Sequence, residues 1–302
     1  MSLLVLEPGI ESRIVDLGRP RSRSLGVPIG GAADRRSLAL GNALVGNLPD
    51  AAAMEIALKG PRLRAETNVG AVLLGAPFEA WRGDSRIEIG HSFTLQRGQE
   101  LHIGGTNDGA RAYLCVRGGF EGSTILASRS SLGPIKAGDV LPCAASVVGQ
   151  RFCPETQWRS KDVQMVAALP GLQADWFADQ DLYGHTFTVT PASNRMGLRL
   201  TGKPLKVSDR EMVSEPVCPG AVQVTPDGQC IVLGVDGQTI GGYPKIAQVI
   251  QADLDVLGQL RPGQRLQFCR IAMEDAIHRD RQSLAELQEW TFRLRLSLDA
   301  FH

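Results

Sequence analysis

The sequence has no run of about 18 apolar residues, the length a helix needs to cross a bilayer. Its start, Met1-Ser-Leu-Leu-Val-Leu-Glu-Pro-Gly9, lacks the basic residues and long apolar stretch of a secretory signal, so a cytoplasmic location is expected. Net charge is also missing. Its 32 Lys and Arg are balanced by 32 Asp and Glu, which leaves no global field to draw the chain onto nucleic acid or an anionic lipid surface. Neither nucleic acid nor membrane is expected as a partner.

Several kinds of chemistry are absent as well. The six cysteines, at 115, 143, 153, 218, 230 and 269, contain no Cys-x-x-Cys pair, which argues against a zinc site or a disulfide framework and for buried, reduced thiols. His91, His102, His185, His278 and His302 show no metal-ligand spacing, so no metal site is expected. There is no Gly-x-x-x-x-Gly-Lys-Ser/Thr loop, no serine nucleophile elbow and no Met-Lys-Met biotinyl segment. Those absences exclude a self-sufficient P-loop ATPase, a triad hydrolase and a biotin carrier.

What is present is a pattern of short alternating runs, such as those at 71–74, 92–95, 100–103 and 111–116, each bounded by Gly, Pro, Asn or Asp. That pattern predicts a mainly β, mostly antiparallel protein of barrel or sandwich type. Helices are few. One is expected over 34–45 with Asp34 as N-cap. A charged C-terminal helix is expected over 272–298, with Ile277, Leu284, Leu287, Trp290 and Leu294 as its apolar stripe. Three segments repeat one another: Leu95-Gln-Arg-Gly-Gln-Glu-Leu101, Ile135-Lys-Ala-Gly-Asp-Val-Leu141 and Leu260-Arg-Pro-Gly-Gln-Arg-Leu266. Each places a turn glycine between two apolar residues, which points to one hairpin element used in both halves of the chain. With 302 residues and 43% hydrophobic content, two domains are expected. They are expected at 1–157 and 158–302, joined within 142–158.

Three polar, glycine-rich segments stand out as binding loops between β-branched runs. They are Ser193-Asn-Arg-Met-Gly197, the stretch 213–224 around Glu215, and Gly234-Val-Asp-Gly-Gln-Thr-Ile-Gly-Gly-Tyr-Pro-Lys245. Gly241 and Gly242 would let backbone N–H groups approach a ligand, while Gln238, Tyr243 and Lys245 can donate to a carbonyl or carboxylate. Arg195 can either clamp a carboxylate or tie loop carbonyls together. Glu215 and Asp236 offer two carboxylates for acid–base work if they meet, although an Asp before Gly more often caps a turn. In the N-terminal half, Arg117-Gly-Gly-Phe120 offers a weak anion-accepting turn, with Ser128-Arg-Ser-Ser131 downstream. Gly30-Gly31 reads as a turn made for the fold.

Together with Gly26-Val-Pro-Ile-Gly-Gly-Ala-Ala-Asp34, Leu40-Gly-Asn-Ala-Leu-Val-Gly-Asn47 and Gly75-Ala-Pro-Phe78, these segments resemble the family of allophanate hydrolase subunit 2 and the C subunit of 5-oxoprolinase. This biotin-dependent-carboxyltransferase-like family includes the antagonist of the Kip kinase inhibitor. The resemblance runs from about residue 3 to about residue 272. It implies two tandem cyclophilin-like β-barrels and a subunit, inactive alone, of a complex that uses ATP to open 5-oxoproline to L-glutamate. It also implies two partners, one like the B subunit (Kip-inhibitor-like) of such a complex and one like its A subunit. On this reading Asn194, Arg195, Gln238, Thr239, Gly241 and Gly242 bind the small amide substrate, and Glu215, Tyr243 and Lys245 act in catalysis. Two other readings stay open: carboxyl transfer from carboxybiotin on a separate carrier to urea or another amide, and non-enzymatic antagonism of a Kip-type inhibitor. The chain departs from the family at Ser12-Arg-Ile-Val-Asp-Leu-Gly-Arg19, where Val15 replaces the usual Gln.

Overall fold

The computed structural model describes residues 1–154, 158, 160–178, 180–207 and 210–299. Two compact units are present: Met1–Gly18 with Asp34–Arg159 and Glu286–His302, and Arg19–Ala33 with Ser160–Ala285. The expected boundary at 157/158 falls beside 155–157 and 159, which lie outside the described residues.

In the first unit the strands are β1 (Ser2–Glu7), β2 (Glu11–Val15), β3 (Ala53–Ala57), β4 (Arg62–Ala65), β5 (Val69–Gly75), β6 (Ala80–Arg82), β7 (Ser85–Arg86), β8 (Ser92–Leu95), β9 (Glu100–Ile103), β10 (Arg111–Val116) and β11 (Val140–Pro142). They form two sheets, β11-β1-β4-β9-β6-β7 and β2-β3-β10-β5-β8. Alternation decides which side chains enter the core. In β4, Leu63 and Ala65 are buried while Arg62 and Arg64 point outward, Arg62 meeting Glu100 at 2.7 Å. Strands β5 and β10 are buried throughout, because helix α1 (Arg35–Leu44) covers their second face.

Helix α1 starts where the sequence predicts. Asp34 has extended backbone and its carboxylate accepts from the Ser37 N–H at 2.9 Å, satisfying one of the unpaired first-turn donors. The helix start is also tied to the sheet beneath. The Asp34 N–H donates to the Tyr113 hydroxyl at 2.8 Å, and that hydroxyl donates to Glu55 at 2.7 Å, beside Arg111. Tyr113 is fully buried and Glu55 nearly so.

The second unit holds β12 (Val163–Pro170), α2 (Gln180–Tyr183), β13 (Thr186–Val189), β14 (Gly197–Thr201), β15 (Glu215–Pro216), β16 (Ala221–Val224), β17 (Cys230–Leu233), β18 (Ile240–Gly241), β19 (Lys245–Val249), α3 (Leu254–Gln259) and β20 (Arg265–Arg270). Seven of these strands close a barrel in the order β12-β19-β16-β17-β14-β13-β20. The barrel closes through a parallel pair, β12 with β20, in an otherwise antiparallel ladder. Its interior is packed with apolar side chains, including Val222, Val232, Leu266 and the edge-to-face rings of Phe187 and Phe268 at 5.8 Å. The protein is thus mainly β with few helices, as the alternating runs predict.

The three repeated segments are one turn used three times. Gly98, Gly138 and Gly263 have φ of 85°, 88° and 89°, a conformation that favours glycine. In each, the residue after glycine bonds back to the turn. Gln99 Oε1 accepts from Gln96 N–H at 2.8 Å, Asp139 Oδ2 from Lys136 N–H at 2.7 Å, and Gln264 Oε1 from Arg261 N–H at 3.0 Å. The C-terminal helix α4 spans Met273–Asp299. Its expected stripe is only partly correct: Leu294 is buried, but Ile277 and Leu284 are 42% and 56% exposed. A 27-residue helix is long enough for the 3.6-residue period to carry a seven-residue pattern off one face.

The buried tyrosine clasp predicts a stability effect. Tyr113→Phe keeps the ring but leaves the Asp34 N–H and the Glu55 carboxylate each short of a buried partner. It is expected to cost ~1–3 kcal/mol, read as a lowered denaturation midpoint in urea.

Candidate functional site

In the closed barrel the inward side chains fill the core, so polar chemistry falls on the outward ones. Arg199 in β14 lies opposite Ile231 in β17, Ile231 opposite Gln223 in β16, and Gln223 opposite Lys245 in β19. These four residues make one row across the outer face. Lys245 joins the row through an irregularity. The register slips between Val222, which faces Ala247, and Gln223, which faces Lys245. Ile246 is the extra residue, and it is buried in the core with Ala247. A bulge of this kind re-aims the next side chain.

Over this row the segment 238–243 folds back, with β18 pairing to β15 so that Gly241 faces Glu215. Between them lies a cavity of about 520 Å³. Five of the sequence-predicted residues line it: Asn194, Gln238, Gly241, Gly242 and Tyr243. Tyr243 is 39% exposed, and Asn194 makes its own turn by accepting from the Met196 N–H at 2.8 Å. Gln223 and Arg199 also line the cavity and went unnoticed in the sequence. The signal for both was present. Gln223 interrupts the apolar run Ala221-Val-Gln-Val224, and Arg199 holds the outward position in Gly197-Leu-Arg-Leu-Thr201.

The remaining four predicted residues lie around the cavity rather than on its wall. Thr239 is buried and its carbonyl accepts from the Val217 N–H at 3.0 Å. Arg195 is 6% exposed and committed within the protein. Its guanidinium grips Asp236 through Nε–Oδ2 at 2.7 Å and Nη2–Oδ1 at 3.0 Å, and Nη2 also donates to the Gly31 carbonyl at 2.7 Å. Of the two roles open to Arg195, this geometry is the loop tie, and a substrate carboxylate would have to displace Asp236. Asp236 is therefore the partner of an arginine.

Lys245 and Glu215 form the second ion pair. The Lys245 ammonium, buried rather than solvated, donates to Glu215 Oε2. Gln173 braces the pair: its Nε2 lies 3.3 Å from Glu215 Oε2, and its Oε1 accepts the Lys245 N–H at 3.1 Å. Hydrogen bonding from Lys245, reinforced by Gln173, holds the Glu215 carboxyl below its ordinary value. Glu215 and Asp236 thus serve separate cations and do not form a carboxylate dyad.

The other motifs are absorbed by the fold. In the first unit, Gly118 N–H donates to Asn47 Oδ1 at 2.7 Å and Gly119 N–H to the Val116 carbonyl at 2.9 Å. That turn therefore offers no free amides to a phosphate. Ser128 and Ser130 both donate to Asp16 at 2.6 Å, and these bonds outweigh burial and keep the Asp16 carboxyl low. Val15, where the family has Gln, is wholly buried. In the second unit, the Gly30-Gly31 turn receives Arg195, and its Gly30 N–H bonds the Val235 carbonyl at 2.9 Å. None of the six cysteines is in a disulfide, but Cys218 is exposed and Cys269 half-buried, contrary to the buried reading. Cys218 lies on the loop before β16, where its Sγ meets Gln248 Oε1 at 3.2 Å. Among the described residues no cluster of three or more His, Cys, Asp or Glu could hold a metal, and no helix is long and apolar enough to cross a membrane.

Two measurable outcomes are expected from this geometry. Because Glu215 is depressed in the folded state, its stabilisation is complete above the ordinary carboxylate pKa and is lost as pH falls through the lower folded value. The stability advantage of the wild type over Glu215→Gln at neutral pH should shrink as pH drops below about 4 in denaturant titrations. The glycines should also separate. A Cβ on Gly241 would sit 2.5 Å from Gln223 Nε2, whereas one on Gly242 would meet only Ser214 Oγ at 3.4 Å. Gly241→Ala is therefore expected to lower the melting temperature and disturb the cavity, and Gly242→Ala to melt as the wild type does.

Residues 25–270 match the family described as carboxyltransferase domain, subdomain A and B. The chain is 35% identical over 310 residues to the C subunit of 5-oxoprolinase from Escherichia coli K12, covering 95% of this chain and 98% of that protein. It is 28% identical to the urea amidolyase of Lachancea kluyveri, covering 90% of this chain but 17% of that one. Among solved structures, TTHA0988 superposes with a TM-score of 0.81 at 36% identity, over 89% of this chain and 56% of that chain. This chain thus spans little more than half of TTHA0988. The urea carboxylase of Kluyveromyces lactis superposes at 0.87 with 26% identity, over 96% of this chain and 29% of that one. With the family match reaching to the end of the last barrel strand, and the 5-oxoprolinase relative matched over nearly its whole length, the chain belongs to the carboxyltransferase domain, subdomain A and B, family.

Proposed function

We propose that this chain is the C subunit of an ATP-dependent 5-oxoprolinase, acting on 5-oxoproline with partners that resemble the A and B subunits of such a complex. The observation that carries this reading is the cavity on the outer face of the barrel. It presents the carboxamides of Gln223 and Gln238, the Tyr243 phenol and the Ser214 hydroxyl to a compact space of about 520 Å³. Such a lining suits a small cyclic amide, whose N–H and C=O each need a partner once they leave water. The likeness to the Escherichia coli 5-oxoprolinase protein over 95% of the chain supports it further.

In the net reaction the lactam C–N bond breaks. One water supplies hydroxyl to the carbonyl carbon and a proton to the nitrogen, and a second water is consumed as ATP goes to ADP and phosphate. Resonance makes an unstrained amide a poor electrophile, so coupling to ATP is chemically reasonable, and the protein's part is to position the amide and stabilise developing charge. On this reading Tyr243 and the Gly241-Gly242 backbone, which line the cavity, would polarise the carbonyl. Glu215, kept ionised by Lys245 and Gln173, suits a proton acceptor better than a donor. The Gly118-Gly119 turn does not fit a phosphate, so the nucleotide is assigned to the partners.

Urea carboxylation is the second reading, supported by the 0.87 TM-score to urea carboxylase. It would require a separate biotin carrier. Reconstitution separates the two. The chain alone is expected to release no glutamate from 5-oxoproline and ATP, and the assembled complex to release glutamate and ADP with no effect of avidin. Turnover by the chain alone would overturn its assignment to a multi-protein complex, and avidin-sensitive carboxylation of urea would favour the second reading.

A further inference from the structure

We infer that Arg199 holds the substrate's carboxylate, the role that Arg195 cannot take without giving up Asp236. This rests on the lactam reading above. Arg199 is the one charged side chain among the described residues lining the cavity. It projects from β14 on the outer face, as the burial of its neighbours Leu198 and Leu200 requires. Its backbone is held firmly. The Arg199 N–H donates to Ser193 Oγ at 3.0 Å, and its carbonyl accepts from the Thr190 N–H at 2.9 Å. Its guanidinium has no hydrogen bond or ion pair within the described residues. Arg199 is exposed, whereas the buried cations near the cavity are already neutralised, Arg195 by Asp236 and Lys245 by Glu215.

The charge count then identifies the ligand class. A cavity with neutral hydrogen-bonding groups and one uncompensated guanidinium matches a small amide bearing a single negative charge. It matches a neutral amide such as urea less well, because nothing in urea would use the cation. The row geometry adds a distance. Arg199 and Lys245 stand three strand spacings apart, ~14 Å between backbones at about 4.8 Å per strand. Lys245 is tied to Glu215 and lies off the cavity wall, so a five-membered ring would lie between Arg199 and Gln223. Arg199 would fix the carboxylate through paired N–H donors, and the lactam would lie toward Gln223 and Tyr243.

The test uses the assembled complex and two ligands: 5-oxoproline as substrate, and 2-pyrrolidinone, the same lactam without a carboxylate, as a competitive inhibitor. Arg199→Ala and Arg199→Met are expected to raise KM for 5-oxoproline on the order of 10- to 100-fold, the scale of one charge-assisted contact. The inhibition constant of 2-pyrrolidinone should stay unchanged, and Arg199→Lys should recover part of the affinity. Unchanged KM in a variant that assembles normally overturns the inference. A loss that weakens both ligands in step overturns it too, since that is the signature of a merely structural residue. If the wild-type complex does not turn over 5-oxoproline at all, it is the lactam reading that fails, before any variant is compared.

Discussion

Closure of the seven-stranded barrel is the constraint from which the site follows. A closed barrel has no free edge, and its interior here is filled by side chains. Strand alternation then divides every residue between core and exterior. Val222 and Val232 go in; Gln223 and Ile231 go out. Polar residues embedded in apolar strands are thereby gathered on a single outer row, and the loop carrying Gln238 and Tyr243 turns that row into a cavity. The parallel β12–β20 pair completes the ring, and Gln173, just beyond β12, reaches Lys245 and Glu215.

Electrostatics within the second unit is arranged in closed pairs. Arg195 with Asp236 secures the 193–197 loop against the 234–237 turn and, through Gly31, the Gly30-Gly31 turn. Lys245 with Glu215 and Gln173 secures the wall behind the cavity. A buried cation needs such a partner because desolvation without one is costly. The pairs hold the loops in place, and with them the neutral groups that line the cavity. They also leave the cavity's own charge to a residue outside both pairs.

The first unit shows the same economy in a different form. Arg117-Gly-Gly-Phe120, which reads as an anion-accepting turn, and Ser128-Arg-Ser-Ser131 downstream use their donors on Asn47, Val116 and Asp16. Glycine amides and serine hydroxyls look alike in a sequence whether they await a ligand or already bind a neighbour. A buried donor is nearly always satisfied, and the satisfying partner can lie more than a hundred residues away, as Asp16 does from Ser128 and Ser130.

The sequence by itself determined the local features, those set by interactions within a few residues. The alternating runs became strands, Asp34 capped α1, and the three glycine turns took one conformation with one side-chain bond. It also marked the loops that surround the cavity. Only the tertiary structure decided which of their residues face it. Arg195 and Arg199 are four positions apart on neighbouring loop and strand, and one is buried against Asp236 while the other lines the cavity. Lys245 reaches the outer row because the ladder slips by one residue at Ile246. With a side-chain period of two, such a slip moves a residue from one face to the other, and where it occurs depends on the partner strand, which local sequence does not contain.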